Sequence, residues 1–162
     1  MLFRSQNPVK SDLFIDNIKI SSYGKYLKEL IKRYNLQDSV VFTGLLDEKQ
    51  MCERYLRSHV FVCPSSIENS PNSLGEAMIF GVPCVASDVG GVTDLLTHKE
   101  EGFVYQTDAP YMLAYYVCEI FANDELALQF SVKARGHAMR THDREMNNQA
   151  MVSIYKNIIS NS

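Results

Sequence analysis

The sequence contains no apolar run long enough to span a bilayer, which takes about 20 consecutive apolar residues. It does not open with the basic, then apolar, then small-residue pattern of a secretion leader. Internal repeats, linkers and low-complexity segments are absent as well. We therefore expect neither a membrane span nor a secretion signal, and we place the chain in the cytoplasm.

The chain has no large excess of either charge, because it contains 16 basic and 19 acidic residues and its net charge is -3. A nucleic-acid surface needs a basic excess, so we expect no nucleic-acid partner. The one basic stretch is a predicted helix that carries Lys25, Lys28, Lys32 and Arg33. Two interpretations stay open for it: an ordinary solvated helix face, or peripheral association with the inner face of the cell membrane.

Cysteine is scarce and forms no CxxC pair, and the four histidines lie at no metal-ligand spacing from the cysteines. This pattern argues against a structural zinc site and against a disulfide framework. We expect no metal cofactor. The four cysteines are predicted to be buried thiols in a reducing compartment; they are Cys52, Cys63, Cys84 and Cys118.

The chain does contain enough apolar residues for one packed domain, because 46% of its 162 residues are hydrophobic. Short continuous apolar runs alternate with helical patterns, which is typical of a parallel sheet covered by helices on both faces. We predict an α/β, Rossmann-like fold. The predicted strands are residues 39–44, a strand from residue 59 that is stopped by Pro64, residues 83–87 and residues 102–106. The predicted helices are residues 22–36, a segment capped by Asp47, residues 71–80, a short helix after Gly91, and everything from residue 109 on.

Loops that follow parallel strands meet at one edge of a sheet, and such edges bind ligands in doubly wound folds. Gly44, residues 65–71 and residues 87–91 are predicted to lie at this edge. The middle loop carries Glu68, and the helix that follows it carries Glu76.

The two glutamates bracket a predicted helix start, where Ser70 suits the N-cap and Pro71 the first turn. The amides of Asn72, Ser73 and Leu74 would then face outward as an anion site. A bare phosphate would be repelled by flanking carboxylates, whereas a nucleotide sugar carries hydroxyls on both sides of its diphosphate. We therefore place ribose on Glu76 and hexose beside Glu68. Two solvated surface charges, or a weaker metal pair, explain the same spacing.

The run "VFVCPSSIENSPNSLGEAMIFGVPCVASDVGGVTDLL" resembles the C-terminal half of the retaining glycosyltransferase family usually numbered four, which has the GT-B fold. The resemblance covers roughly residues 22–160. The matching motif is an E-x7-E pair followed by small and turn residues: Glu68, Glu76, Ala77, Met78, Gly81, Pro83, Ser87, Gly90 and Gly91.

The resemblance implies that Glu68 occupies the catalytic position as the contact of the donor hexose, and that Glu76 holds the ribose. It implies further donor-binding residues in three loops, with the diphosphate on backbone amides and the base near the first loop. They are Thr43, Gly44, Leu45, Asn69, Ser70, Asn72, Ser73, Leu74, Gly90 and Gly91. Asp94, where the family usually has Glu, and Gly75, where a larger residue is common, depart from the pattern.

The resemblance also implies that an N-terminal GT-B domain is missing from this chain. We expect residues 1–20 to be irregular and residues 21–162 to form a donor-binding domain truncated at its start. Alone, the chain would then be inactive.

The implied reaction moves a hexose from a nucleoside-diphosphate sugar to a hydroxyl of a glycan or lipid-linked acceptor, with retention, in glycan or surface polysaccharide synthesis. Two alternatives are a nucleotide-sugar epimerase of GT-B architecture and a non-catalytic Rossmann-like interaction domain.

Overall fold

A computed structural model describes residues 22–160. The described chain is an α/β structure with one three-stranded sheet. Its helices are α1 (Ser22–Arg33), α2 (Glu48–Arg57), α3 (Asn72–Ile79), α4 (Val92–Leu95), α5 (Pro110–Ala122), α6 (Asp124–Thr141) and α7 (Arg144–Ser160). Its strands are β1 (Phe61–Cys63), β2 (Cys84–Ser87) and β3 (Gly102–Tyr105). The predicted irregular segment, residues 1–20, lies outside the described residues.

The sheet has the order β1-β2-β3, and both neighbouring pairs are parallel. Val85 at its centre pairs in register with Val62 on one side and Phe103 on the other. All four residues of β2 are buried, as a strand covered on both faces requires. The predicted α/β fold class is confirmed.

The main buried cluster joins the sheet region with helices α5 and α6. Its members are Val60, which directly precedes β1, and Val85, Phe103, Tyr105, Ile120 and Phe130.

The chain divides into two compact units between Met51 and Cys52. In the first unit, α1 ends at Arg33, three residues before its predicted end. Asn35 explains this stop because it adopts a left-handed φ of 53°. The amides of Asn35 and Leu36 donate back to the carbonyls of Lys32 and Ile31, which closes the helix.

The predicted strand at residues 39–44 is wrong: no strand forms there, and Val41 and Phe42 are 50% and 37% exposed. An isolated extended segment gains nothing from its apolar residues unless a neighbouring strand pairs with its backbone. Within the described residues, the only sheet consists of β1, β2 and β3, and residues 39–44 are not among its strands.

The predicted N-cap of α2 is confirmed. The Asp47 carboxylate accepts a hydrogen bond from the amide of Gln50 at 2.8 Å, and the Gln50 side chain accepts one from the amide of Asp47 at 3.0 Å. This reciprocal pair satisfies two donors that a helix start leaves unpaired.

The predicted end of α3 is also confirmed. Gly81 adopts a φ of +68°, and its amide donates to the carbonyl of Met78. The amide of Val82 donates to the carbonyl of Ala77, which completes a Schellman motif. The chain can therefore turn at once into Pro83 and the central strand β2.

Glycine at position 75 allows a close contact between α3 and the end of α6. A Cβ atom added there would lie 2.6 Å from the Nε2 atom of His142. The departure from the family pattern at this position therefore has a packing explanation.

The cysteines are free thiols that differ in burial. Cys63 and Cys84 are buried as predicted, and burial raises the pKa of the Cys84 thiol far above its ordinary value. Cys118 is exposed and Cys52 only half-buried, so the prediction of four buried thiols is wrong for these two. Cys118 lies on the outer side of α5, whose inner side packs on the sheet.

No helix within residues 22–160 is both long and apolar enough to cross a bilayer.

Glu101 fastens the turn before β3 to α6. Its carboxylate accepts a hydrogen bond from the amide of Thr97 and lies 2.9 Å from the Nδ1 atom of His137. The second contact is not a well-aligned hydrogen bond. Burial alone would raise the pKa of Glu101, but the Thr97 amide and the His137 ring outweigh it and lower the pKa below its usual 4.5.

A carboxylate with a lowered pKa stabilises the fold above its unfolded pKa and loses that contribution as the pH falls through its folded pKa. We expect the free-energy difference between the original chain and Glu101→Gln to shrink as the pH falls from about 5 to about 3, because the carboxylate is then protonated. Urea unfolding at several pH values measures it, with Glu100→Gln at the exposed neighbouring position as the control. A difference that stays constant down to about pH 3 would show that the pKa of Glu101 is not lowered.

Candidate functional site

The site is built on the start of α3, at the edge where β1 and β2 end. Pro71 is the N-cap, with an extended backbone (φ -73°, ψ 104°), so the prediction of Ser70 as N-cap is wrong by one residue. Pro71 is buried, and its carbonyl accepts the amides of Leu74 and Gly75. The amide of Leu74 is therefore already engaged inside the helix. Asn72 and Ser73 are exposed and occupy the first turn, where backbone amides have no partner within the helix.

One face of α3 packs inward. Leu74 and Ala77 are fully buried and Met78 is 1% exposed. Burying this face fixes the direction in which the helix start points. Glu76 lies on the exposed side together with Asn72.

The Glu76 carboxylate turns back toward the start of the helix. The hydroxyl of Tyr55 donates to its Oε2 atom at 2.9 Å, and the same hydroxyl lies 3.3 Å from the carbonyl oxygen of Ser73. One hydroxyl thus reaches both the Glu76 side chain and the backbone one turn earlier. The carboxylate is held beside the first turn of α3, which is where the sequence places it.

Glu68 is half-buried in the loop after β1 and is also held by a hydroxyl. The Oγ atom of Ser65 donates to its Oε2 atom at 3.2 Å. Ser65 is itself fixed through its carbonyl, which accepts a hydrogen bond of 2.6 Å from the fully buried Ser87. The end of β2 therefore positions the loop that carries Glu68.

Gly90 and Gly91 pack directly against the backbone of this loop. A Cβ atom at Gly90 would overlap the carbonyl oxygen of Glu68, and Gly90 has a φ of +52°. The amide of Gly91 donates to the carbonyl of Asn69 at 2.6 Å. These contacts give both glycines a structural role in shaping the Glu68 loop.

The result is an open helix start with the Glu76 carboxylate beside it and Glu68 in the loop that leads into it. The amides and the positive end of the helix dipole favour an anion. Each carboxylate already has one hydroxyl donor and retains acceptor capacity for others. Such an arrangement suits a ligand with an anionic centre and hydroxyl groups on either side. No cluster of three or more metal-binding side chains occurs within residues 22–160.

The other predicted site residues divide into two groups. Asn69 and Ser70 are exposed in the same loop as Glu68. Thr43, Gly44 and Leu45 belong to the first compact unit, where Gly44 has a φ of +65° and the Leu45 side chain is fully exposed. Their contact with a base stays a prediction.

Three residues that sequence reasoning missed complete the site. Tyr55, Ser65 and Ser87 all hold site residues through their hydroxyls. A signal for Tyr55 was present, because it is the one aromatic residue in the mostly polar helix α2. Ser65 and Ser87 lie in loops predicted to form the binding edge, and Ser87 belongs to the family motif, but the sequence does not indicate which residues their hydroxyls contact.

A parallel α/β sheet with an open helix start at the carboxyl ends of its strands defines a Rossmann-like domain. Comparison with known proteins narrows the class further. The family model for glycosyl transferases group 1 matches residues 16–137, which is more than half of the chain. The chain belongs to this family.

Two curated relatives illustrate the similarity. The chain is 34% identical over 123 residues to a Haemophilus influenzae protein described as an uncharacterized glycosyltransferase, covering 74% of this chain and 34% of that protein. It is 30% identical over 109 residues to a 2-deoxystreptamine N-acetyl-D-glucosaminyltransferase from Niallia circulans, covering 67% of this chain and 28% of that protein. The chain thus spans about a third of the length of these relatives.

Solved structures show the same fold. Sucrose-phosphate synthase from Thermosynechococcus elongatus superposes with a TM-score of 0.77 at 26% identity, covering 88% of this chain and 36% of that one. Anabaena HepE in complex with UDP superposes with a TM-score of 0.77 at 23% identity, covering 83% of this chain and 37% of that one. These likenesses confirm the predicted GT-B type of fold.

Proposed function

We propose that this chain is the donor-binding part of a retaining glycosyltransferase that takes a hexose from a nucleoside-diphosphate sugar. One observation carries the proposal: Tyr55 holds the Glu76 carboxylate beside the open start of α3, while Ser65 holds Glu68, the other member of the E-x7-E pair, in the loop that leads into this helix. The diphosphate binds the amides of Asn72 and Ser73. Family membership and the UDP bound in HepE support the choice of ligand.

Each part of the site takes one part of the donor. Glu76 accepts hydrogen bonds from the ribose hydroxyls, and Glu68 accepts them from the hexose. A carboxylate forms stronger hydrogen bonds with hydroxyls than a neutral acceptor does. The helix start stabilises the negative charge that grows on the departing diphosphate, which is where such an enzyme gains most of its rate.

Several finer points belong to the same proposal. The acceptor is a hydroxyl of a glycan or lipid-linked molecule, and the pathway is glycan or surface polysaccharide synthesis in the cytoplasm. The acceptor is bound by a further GT-B domain, and no metal ion takes part. The donor-binding domain corresponds to residues 21–162, and without the further domain the chain transfers no sugar.

Nucleotide binding can be tested on the chain itself by recording the amide resonances of the isotopically labelled protein. UDP, GDP, ADP and dTDP are added in turn, each to a concentration well above about 1 mM. This range detects even a dissociation constant of about 1 mM, which corresponds to a binding free energy of about -4 kcal/mol. We expect one of them to shift the amide resonances of Asn72 and Ser73 and of Gly90 and Gly91. If none moves these resonances at that concentration, the site does not bind a nucleoside diphosphate.

Replacing Glu68 with alanine separates hexose binding from nucleotide binding. We expect Glu68→Ala to weaken binding of the nucleotide sugar by roughly 5- to 150-fold, the range for one lost hydrogen bond to a charged group, and to spare the free nucleotide. In a form that transfers sugar, turnover falls as well. Calorimetry with UDP and UDP-glucose, or the matching pair for another base, measures the split.

The matched control is Glu125→Ala, which removes an exposed glutamate in the first turn of α6. It should leave both affinities unchanged. If Glu68→Ala weakens the free nucleotide and the nucleotide sugar equally, Glu68 does not contact the hexose.

A further inference from the structure

We infer that Tyr55 is a positioning residue for donor binding: its buried hydroxyl fixes the Glu76 carboxylate in the orientation that receives the ribose hydroxyls. The inference rests on the proposed function, because it assigns the ribose to Glu76. Tyr55 itself lies below the carboxylate and is not expected to touch the ligand.

The Tyr55 side chain is held from several sides. Its exposed fraction is 1%. Its ring stacks on Phe80 at a centroid distance of 5.4 Å and an interplanar angle of 13°, and it packs at a tilt against Phe61 at 6.0 Å. Phe80 closes the end of α3 and Phe61 begins β1. The hydroxyl therefore has a fixed position relative to both the helix and the sheet.

The hydroxyl acts as a donor. Burial and then the neighbouring Glu76 carboxylate raise the pKa of Tyr55 far above its ordinary value, so the proton stays on the tyrosine. The hydroxyl lies 2.9 Å from Glu76 Oε2 and 3.3 Å from the Ser73 carbonyl, and its single proton favours the shorter, charged contact.

Fixing the carboxylate matters because Glu76 is otherwise exposed. A free glutamate side chain on a helix surface samples several rotamers, and binding a ligand would cost it that freedom. Tyr55 removes much of this cost before the ligand arrives. It also occupies one acceptor position on Oε2, so the carboxylate presents its remaining acceptor positions outward, where they select groups that donate hydrogen bonds.

The first measurement needs no ligand. In Tyr55→Phe, which keeps the ring contacts with Phe80 and Phe61, the carboxyl carbon resonance of Glu76 should move. In the control Tyr116→Phe it should not. Tyr116 likewise stacks on a phenylalanine, Phe103, at 4.2 Å, so the control deletes the same atom elsewhere. A Glu76 resonance that stays in place in Tyr55→Phe overturns the inference whether or not a nucleotide binds.

The second measurement is a double-mutant cycle of nucleotide affinity on the 162-residue chain. The probe is whichever of UDP, GDP, ADP and dTDP binds the original protein. We expect Tyr55→Phe to weaken binding about 3- to 10-fold when Glu76 is present and to have no effect when Glu76 is alanine. If Tyr55→Phe loses the fold in a melting experiment, the side-chain NMR couplings of Glu76 in the original chain are measured instead, and a Glu76 side chain that averages over several rotamers overturns the inference.

The outcomes separate this inference from the proposed function. If the original chain binds a nucleotide and Glu76→Ala weakens it, but Tyr55→Phe binds like the original, the positioning role is wrong and the donor site stands. Equal losses from Tyr55→Phe with and without Glu76 would mean that Tyr55 contributes only packing. If none of the four nucleotides binds the original chain, the proposed function falls and this inference falls with it.

Discussion

Replacing Glu76 with alanine should weaken binding of the free nucleoside diphosphate by about 1–3 kcal/mol, or roughly 5- to 150-fold, the range for a lost hydrogen bond to a charged group. The reason is that Glu76 is the carboxylate on the exposed side of α3, held beside the helix start by Tyr55. Calorimetry with the nucleotide that binds the original chain measures the change.

The fold should survive this substitution, because the Glu76 side chain is exposed and the inward face of α3 is untouched. The Tyr55 hydroxyl loses its closest acceptor but keeps the Ser73 carbonyl 3.3 Å away. Glu76→Gln is the conservative comparison, since it keeps the shape and one acceptor oxygen but removes the charge. Unchanged nucleotide affinity in Glu76→Ala would refute the role of Glu76.

The features that sequence predicted well are those in which one residue type decides the local geometry. Asp47 can pair with the amide of Gln50 without any help from the rest of the chain. Gly81 ends α3 because only glycine adopts its left-handed backbone cheaply. The start of α3 was less well placed, since Pro71 is buried with an extended backbone and not in the first helical turn. A proline can occupy either the N-cap or the first helical turn, and the packing around Pro71 determines which of the two it occupies.

The features that sequence missed depend on partners far away along the chain. Residues 39–44 have the composition of a strand, but composition does not provide the neighbouring strand that pairing requires. Tyr55 meets Glu76 across 21 positions, and Ser87 meets the Ser65 carbonyl across 22. The E-x7-E spacing therefore predicted which acids form the site, whereas the hydroxyls that orient them became visible only with the fold.

Replacing Gly90 with alanine should both destabilise the chain and impair donor binding. The left-handed φ of +52° costs an ordinary residue about 1–2 kcal/mol. The added Cβ atom would also overlap the carbonyl oxygen of Glu68, and a backbone atom cannot rotate aside as a side chain does. We expect a loss of at least about 2 kcal/mol in the free energy of unfolding. Urea unfolding measures it, and the amide resonances of Asn69 and Ser70 report the displaced loop.

Gly81→Ala separates the two causes of this effect. Gly81 has an even larger φ of +68°, but the nearest atom to an added Cβ is the Ser131 hydroxyl, which can rotate away. It should therefore lose stability through backbone strain alone and keep its nucleotide affinity. In Gly90→Asn the new residue tolerates the left-handed backbone, yet its Cβ atom still meets the Glu68 carbonyl, so binding should remain impaired. If Gly90→Asn binds nucleotide like the original chain, the close approach at Gly90 does not shape the loop that carries Glu68.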